Sequence, residues 1–422
     1  MDQTAGRAGY EMQGILSSQM RSIQMGLAYS KIDGKSREFY ILLVLFSIFT
    51  LVGFICFMVS YISGHHVLGS SSIIPWGMPI TITIYLIGLS AGSLILSALT
   101  YVFGKEEYRP IARLAVYLAI ILILGAMIGI ALDLGRPEKT WRLFMFFVLN
   151  NMRSMFAVNG ILYGGYFLIG MVYLGTIFAE KYKFITLMGK IAIFWAALVH
   201  MGTGAIFGFI ATRPIFFSPI KPFEFLAAAM VSGLALLMIT VVATFKFTKR
   251  NLNQELIFSL SRYLRVLIIV LAVMVLVDKL THLYSPHRDP TLWLLTGPYS
   301  WIFWILQVGF AYVLPVLILF HPRFGKTLKG VMVAAFLVVI GIFGERFSLV
   351  IPGTAYPLPF YPGKIEGIWG MAGSFPITPV ESFMSLGIFT LMGLLFLVGL
   401  KNLELLPVDE SGQQTPEPTK KT

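Results

Sequence analysis

The sequence predicts an all-α integral membrane protein of ten transmembrane helices, arranged as two four-helix bundles with flanking helices. Three observations carry the prediction. Charged residues make up only 12% of the 422-residue chain, mean hydropathy is +0.81, and long apolar runs recur along its length. A soluble domain carries about 25% charged residues and covers its surface with them. At 12% that cover is missing, so hydrocarbon must face most of the surface.

Ten runs are long enough to cross about 30 Å of hydrocarbon as helices. They cover residues 40–63, 78–103, 111–132, 154–179, 185–211, 222–247, 262–285, 299–320, 328–351 and 378–400. The first 39 residues are polar and precede a full-length span, so they read as an N-terminal extension and not as a cleaved signal. The loop after the first run, "SGHHVLGSSSIIPWG", has no Lys or Arg. The third run follows the basic "EEYRPIAR" and ends at Asp133; the seventh follows the basic "FKFTKRNLNQ" and ends near Asp278. These two basic-flanked helices suggest a repeated four-helix unit, 78–211 and 222–351. Small-residue pairs at Gly88/Gly92, Gly125/Gly129 and Gly160/Gly164 mark close helix approaches in the first unit. The tail over 401–422, with its "DESGQQTPEPTKKT", is polar and Pro-containing and reads as disordered.

Charge distribution sets the orientation. The two tails and the even-numbered loops, with the span ends that flank them, hold 22 of the 32 Lys and Arg residues. Cytoplasmic loops carry the basic excess, which puts both termini in the cytoplasm. The net charge of +12 is thus a matter of topology and does not point to nucleic acid. A single cysteine, Cys56, excludes an internal disulfide and a self-contained iron–sulfur cluster, which needs about four thiolates.

An ionisable group in hydrocarbon costs at least about 2.5–3.5 kcal/mol at mid-span, so each one needs a reason. Asp133 closes the third run. His200 lies fifteen residues into the fifth, about 22 Å from its cytoplasmic end. Glu224 opens the sixth, Asp278, Lys279 and His282 come late in the seventh, Glu345 and Arg346 late in the ninth, and Glu381 opens the tenth. All fall in the outer half. The five acids are therefore expected to converge on one polar cavity open to the outside. Asp278 and His282 share a helix face at i, i+4, whereas the adjacent Glu345 and Arg346 are expected to point apart and to find different partners. A histidine near its ordinary pKa suits proton exchange with a redox ligand.

Three functions fit such a layout. A haem-binding, cytochrome b-like anchor needs two facing histidines, and only His200 and His282 lie at similar depth. A transporter without redox function usually has its site near the midplane with broken helices from both halves, and the lack of ionisable groups in the inner half argues against ion-coupled alternating access. A quinone site needs an apolar slot with a few convergent polar groups, and this fits better.

The stretches "PWGMPITITIYLIGLSAG", "LDLGRPEKTWRLFMFF" and "NNMRSMFAVNGILY" resemble the NrfD/PsrC family of respiratory membrane subunits. The later "LVHMGTG", "PFEFLAAAMVSGLALLM", "ERFSL" and "FPITPVESFMSLGIF" resemble its ten-helix branch, which includes HybB-like and DsrP-like subunits. The resemblance covers roughly 72–400. It implies a multi-pass protein of the cell (inner, cytoplasmic) membrane that holds no haem or iron–sulfur cluster of its own and no metal. It would bind menaquinone or ubiquinone in its first bundle and exchange electrons with a ferredoxin-like [4Fe–4S] subunit of a larger complex. On this reading His200 bonds one quinone oxygen, Asp133 relays a proton, and Arg136 sits at the mouth, pairing with Asp133 or binding lipid phosphate. Tyr163 and Trp195 line the ring site. Glu224, Asp278, His282, Glu345, Arg346 and Glu381 carry protons, Asp278 standing where the branch can have Glu.

Overall fold

A computed structural model describes residues 28–286, 288–357 and 372–408, apart from the side chains of 92–98 and Tyr182. Most of the N-terminal extension (1–27) and the tail from 409 onward lie outside the described residues.

The ten expected membrane helices are present. They are α1 (Arg37–Ser63), α2 (Met78–Tyr101), α3 (Arg109–Asp133), α4 (Met155–Phe178), α5 (Tyr182–Gly208), α6 (Lys221–Phe247), α7 (Gln254–Tyr284), α8 (Ile302–Phe320), α9 (Leu328–Ala355) and α10 (Pro379–Asn402). Several begin where a side-chain oxygen takes an orphan backbone N–H. Ser36 accepts from Phe39, Asn253 from Glu255, Thr327 from Gly330 and Thr378 from Glu381. Most of α8, Ile302–Val313, is a π-helix. Pro315 follows and has no N–H to return to the turn below, which favours the wider winding there.

Helix neighbours define two closed rings. In one, α2 packs on α3, α3 on α4, α4 on α5 and α5 on α2; in the other, α6, α7, α8 and α9 close in the same order. The rings meet where α2 and α5 lie against α6, and α2 touches α9. This interface is tight because glycines face backbone. A Cβ on Gly204 would come within 2.6 Å of Pro222 Cα, and one on Gly208 within 2.6 Å of the Ser218 carbonyl oxygen. The small-residue pairs of the first ring serve unequal ends: Gly125 faces Met392 of α10, Gly129 faces Thr83 of α2, and Gly164 faces open space.

Helix α1 is apolar all round and touches chiefly α10. The two backbones meet at Gly53 and Gly387, where an added Cβ on Gly387 would lie 2.6 Å from Gly53 Cα, and Thr50 and Thr390 share a hydroxyl hydrogen bond of 3.1 Å beside them. Small residues permit this approach in lipid, where packing drives association.

Order extends past the tenth helix. Leu406–Pro407 pairs antiparallel with Tyr29–Ser30, so residues 401–408, expected to begin a loose tail, instead clasp the N-terminal segment. Arg250, in the loop between α6 and α7, donates to the Pro407 carbonyl oxygen and, at 2.9 Å, to the Ser30 hydroxyl. Tyr29 donates to the Arg109 carbonyl oxygen at 2.8 Å while the Arg113 guanidinium lies 3.8 Å over its ring. Both ends are thereby tied to both rings.

Candidate functional site

The first ring encloses a cavity of about 350 Å³ near the ends of α2–α5 that point away from the chain termini. Its walls are mostly aliphatic and aromatic. The polar side chains Thr83, Asp133, Asn159, Tyr163 and Thr203 also line it. Asp133 is the last residue of α3. Gly135 then turns the backbone at φ +68°, a conformation that favours glycine, and a short helix over 140–148 folds back across the cavity. Its last stretch, Leu143–Val148, is a π-helix that supplies three lining residues. Trp76 forms another wall, stacked on Phe216 with ring centroids 6.0 Å apart and edge-on to Phe156 at 5.5 Å and Phe207 at 5.7 Å.

The hydrogen bonds leave specific atoms free. Thr203 donates to the Val199 carbonyl oxygen at 2.7 Å, so in its 2.9 Å contact with Tyr163 it must accept, and the tyrosine hydroxyl is the donor. A lone pair of the Tyr163 oxygen remains to accept from a ligand. The Asn159 amide donates to the Met155 carbonyl oxygen at 2.7 Å, and its Oδ1 is buried without a partner. A buried polar atom without a partner is costly and points to a ligand or water that satisfies it. The Asp133 carboxylate forms no ion pair among the described residues. Asp133, Asn159 and Tyr163 thus bring polar side chains to the wall of one largely apolar slot, with Asn159 Oδ1 lying on the side of Gly202, a suitable setting for a flat ring bearing hydroxyl or carbonyl groups.

Of the residues expected at this site, the structure brings Asp133 and Tyr163 to the cavity and leaves three away from its wall. His200 is buried one turn below Thr203, its ring edge-on to Tyr166 at 6.3 Å and its Nε2 unpartnered. Trp195 donates to the Leu162 carbonyl oxygen at 2.8 Å and packs on Gly165 behind the wall. Arg136 is exposed and forms no pair with Asp133, because the left-handed Gly135 between them reverses the backbone.

The acids do not converge on one open cavity; they separate into three places. Asp133 belongs to the slot. Glu381 is fully buried and accepts backbone N–H bonds from Gly69 at 3.1 Å and from Met78, capping α2 and fixing the loop that carries Trp76. The other three lie within the second ring in a buried ion array. Lys221 contacts Glu224 at 2.5 Å and Asp278 at 3.2 Å; Asp278 also accepts from Ser218 at 2.5 Å and from Lys279 at 2.9 Å, with His282 3.5 Å away. Glu345 and Arg346, expected to point apart, instead pair with each other at 3.3 Å, and the guanidinium also lies 3.9 Å over the Phe225 ring. Long side chains overcome the angle between neighbouring helix positions when both are held in the same interior. A small void of about 20 Å³ lies between Glu224, Glu345, Lys279, Gln307 and Ser348. The π-helix of α8 carries Gln307 to it, and Glu224 Oε1, Glu345 Oε2 and Ser348 Oγ are buried there without partners. About 10–15 Å³ is enough for one water. His200 and His282 belong to different rings and do not face each other, so they do not form the paired axial ligands of a cytochrome b-like anchor.

Sequence reasoning overlooked Lys221, Ser218, Trp76, Asn159 and Thr203. Lys221 stands three residues before Glu224, a spacing that places both on one helix face. Asn159 is an amide inside an apolar span, which was itself a signal.

Residues 66–357 match the family model described as "Polysulphide reductase, NrfD". The chain belongs to the NrfD family. The Hdr-like menaquinol oxidoreductase integral membrane subunit of Archaeoglobus fulgidus is 35% identical over 91% of this NrfD-family protein and 98% of its own length. The selenate reductase C subunit of Mesobacillus selenatarsenatis is 28% identical over 88% of this protein and 96% of its own length. The menaquinone reductase integral membrane subunit of Nitratidesulfovibrio vulgaris is 24% identical over 70% and 77%, respectively. Family membership and the ten apolar helices together establish a multi-pass integral membrane protein.

Proposed function

We propose that this NrfD-family protein is the quinone-binding membrane subunit of a respiratory oxidoreductase complex in the cell membrane. The observation that carries the reading is the apolar slot of the first ring, with Asp133, Asn159 and Tyr163 in its wall. Menaquinone is the favoured ligand, since two relatives are named for menaquinol oxidation or menaquinone reduction. The electron partner is a separate iron–sulfur subunit of ferredoxin type, and the positive-inside count favours an outer-face location for the slot.

Exchange of electrons with a quinol moves two electrons and two protons. The protein's own residues provide for orientation and for the protons. Asn159 Oδ1 accepts from one hydroxyl of the bound quinol and fixes the ring. The Tyr163 oxygen accepts near it, with its own proton committed to Thr203. Asp133, at the edge of the slot, takes up or returns a proton and passes it to the water beyond Gly135. Trp76 and Phe156 exclude water from the ring. Glu381 holds the Trp76 loop and so acts on binding through position. The array from His282 through Asp278, Lys221, Glu224 and Glu345 to Arg346, with room for a water at its centre, offers a second proton route.

The test is quinol-dependent electron transfer by the assembled complex. Asp133→Asn and Tyr163→Phe should each lower it at least about tenfold, equivalent to about 1.4 kcal/mol of transition-state stabilisation. Wild-type turnover in both variants, with the complex intact, would remove the slot from the reaction.

A further inference from the structure

A second and larger cavity, about 530 Å³, lies between the α1–α10 pair and the two rings. It runs from the surface that carries the chain termini to the middle of the protein. Along α6 it extends from Thr248 to Leu236, and along α10 from Leu400 to Phe389. Twelve helical residues rise about 18 Å, close to the roughly 15 Å thickness of one leaflet's hydrocarbon. At its inner end the Tyr85 hydroxyl is spent on the Val339 carbonyl oxygen at 2.7 Å. Most of the side chains lining this crevice are aliphatic or aromatic, with Thr240 and Thr244 among them. Its interior therefore suits a hydrocarbon tail.

The mouth supplies the other half of the recognition. Lys35, Arg37, Lys246, Lys249 and Lys401 each lie within one or two residues of a residue that lines it, all five are exposed, and none forms an ion pair among the described residues. Two acids, Asp33 and Glu38, accompany them, so the bases remain in excess. Lys401 Nζ lies 5.8 Å from the centroid of the Phe39 ring, over the opening. A one-leaflet apolar crevice with a basic rim matches an anionic phospholipid: phosphate at the lysines, one acyl tail inside.

We propose that this crevice binds an anionic phospholipid of the leaflet on the termini side, which wedges the α1–α10 pair against the two rings. This is independent of the quinone reading. The test uses the full-length protein in nanodiscs with phosphatidylglycerol carrying a photoreactive group at the end of one acyl tail. After irradiation, adducts should concentrate on crevice residues such as Leu122 and Phe389. Ala243→Trp, which fills the crevice, should cut those adducts at least about fivefold while leaving adducts on the outward face of α1 unchanged. The surface pair Lys249→Glu and Lys401→Glu, which leaves the crevice open, should lower the preference for phosphatidylglycerol over phosphatidylcholine at least about threefold. Adducts spread evenly over all lipid-facing helices would overturn the proposal, as would equal labelling by a phosphatidylcholine probe or displacement of the lipid by menaquinone.

Discussion

Lys221 is the cation on which the second ring depends most, and Lys221→Met isolates its contribution. The side chain is buried, and it contacts Glu224 at 2.5 Å and Asp278 at 3.2 Å. The array is neutral as built: Glu224, Asp278 and Glu345 face Lys221, Lys279 and Arg346. Methionine keeps the volume and removes one positive charge. Asp278 retains Lys279, Ser218 and His282. Glu224 retains nothing, since its other oxygen has no partner already. Removing one partner of a buried pair costs about 3–5 kcal/mol, most of it the stranded charge. Lys221→Met should lose that much in chemical unfolding followed in a fixed detergent. Lys221→Met with Glu224→Gln should recover all but about 1–2 kcal/mol, because the remaining amide is uncharged. If the single variant loses under about 1 kcal/mol, or the double is no better than the single, the assignment of Glu224 as the stranded group is wrong.

Other variants probe other parts of the fold. Glu381→Gln keeps one acceptor but weakens two bonds to backbone N–H groups, a change of about 1 kcal/mol; steady-state kinetics should show quinol KM raised about fivefold with kcat within about twofold, and an equal fall in kcat would instead make Glu381 part of the chemistry. Gly387→Val drives a side chain into α1 and should cost about 1–3 kcal/mol or more by overpacking, read as loss of the α1–α10 contact in cysteine cross-linking between positions 50 and 390. Arg250→Ala should expose residues 28–35 and 403–408 to limited proteolysis while the global unfolding midpoint stays unchanged, since clasp and core open separately; a lowered midpoint would mean that the clasp is part of the core.

The ten helices were legible because each is an apolar run of membrane length, a signal that needs no tertiary information. Asp133 and Tyr163 were legible for a related reason: a polar group at the end of a span, or facing inward on a first-ring helix, has few places to go. What the sequence did not reveal was azimuth. Depth alone put five acids together, but depth is one coordinate of three. Glu381 shares a level with Asp133 and yet turns to the N-terminus of α2, where two backbone donors wait. Glu345 and Arg346 were assigned different directions and different partners from helix geometry, which ignores the reach of their side chains. Lys221 escaped notice because it precedes the apolar run that defined α6. His200 has the right depth and the right ring but faces Tyr166, one turn from the slot.

The clasp between Tyr29–Ser30 and Leu406–Pro407 sets residues 28 and 408 side by side. Joining residue 28 to residue 408 through a few glycines should therefore leave the helices where they are. New ends could then be cut in the loop between α7 and α8, on the opposite face. Such a circular permutant would begin with α8 and finish with α7, so that α8 and α9 would be synthesised before the first ring and their partners α6 and α7 after it. Whether the second ring is made in one piece or in two halves thus becomes a variable that can be set by gene design, independently of the final fold.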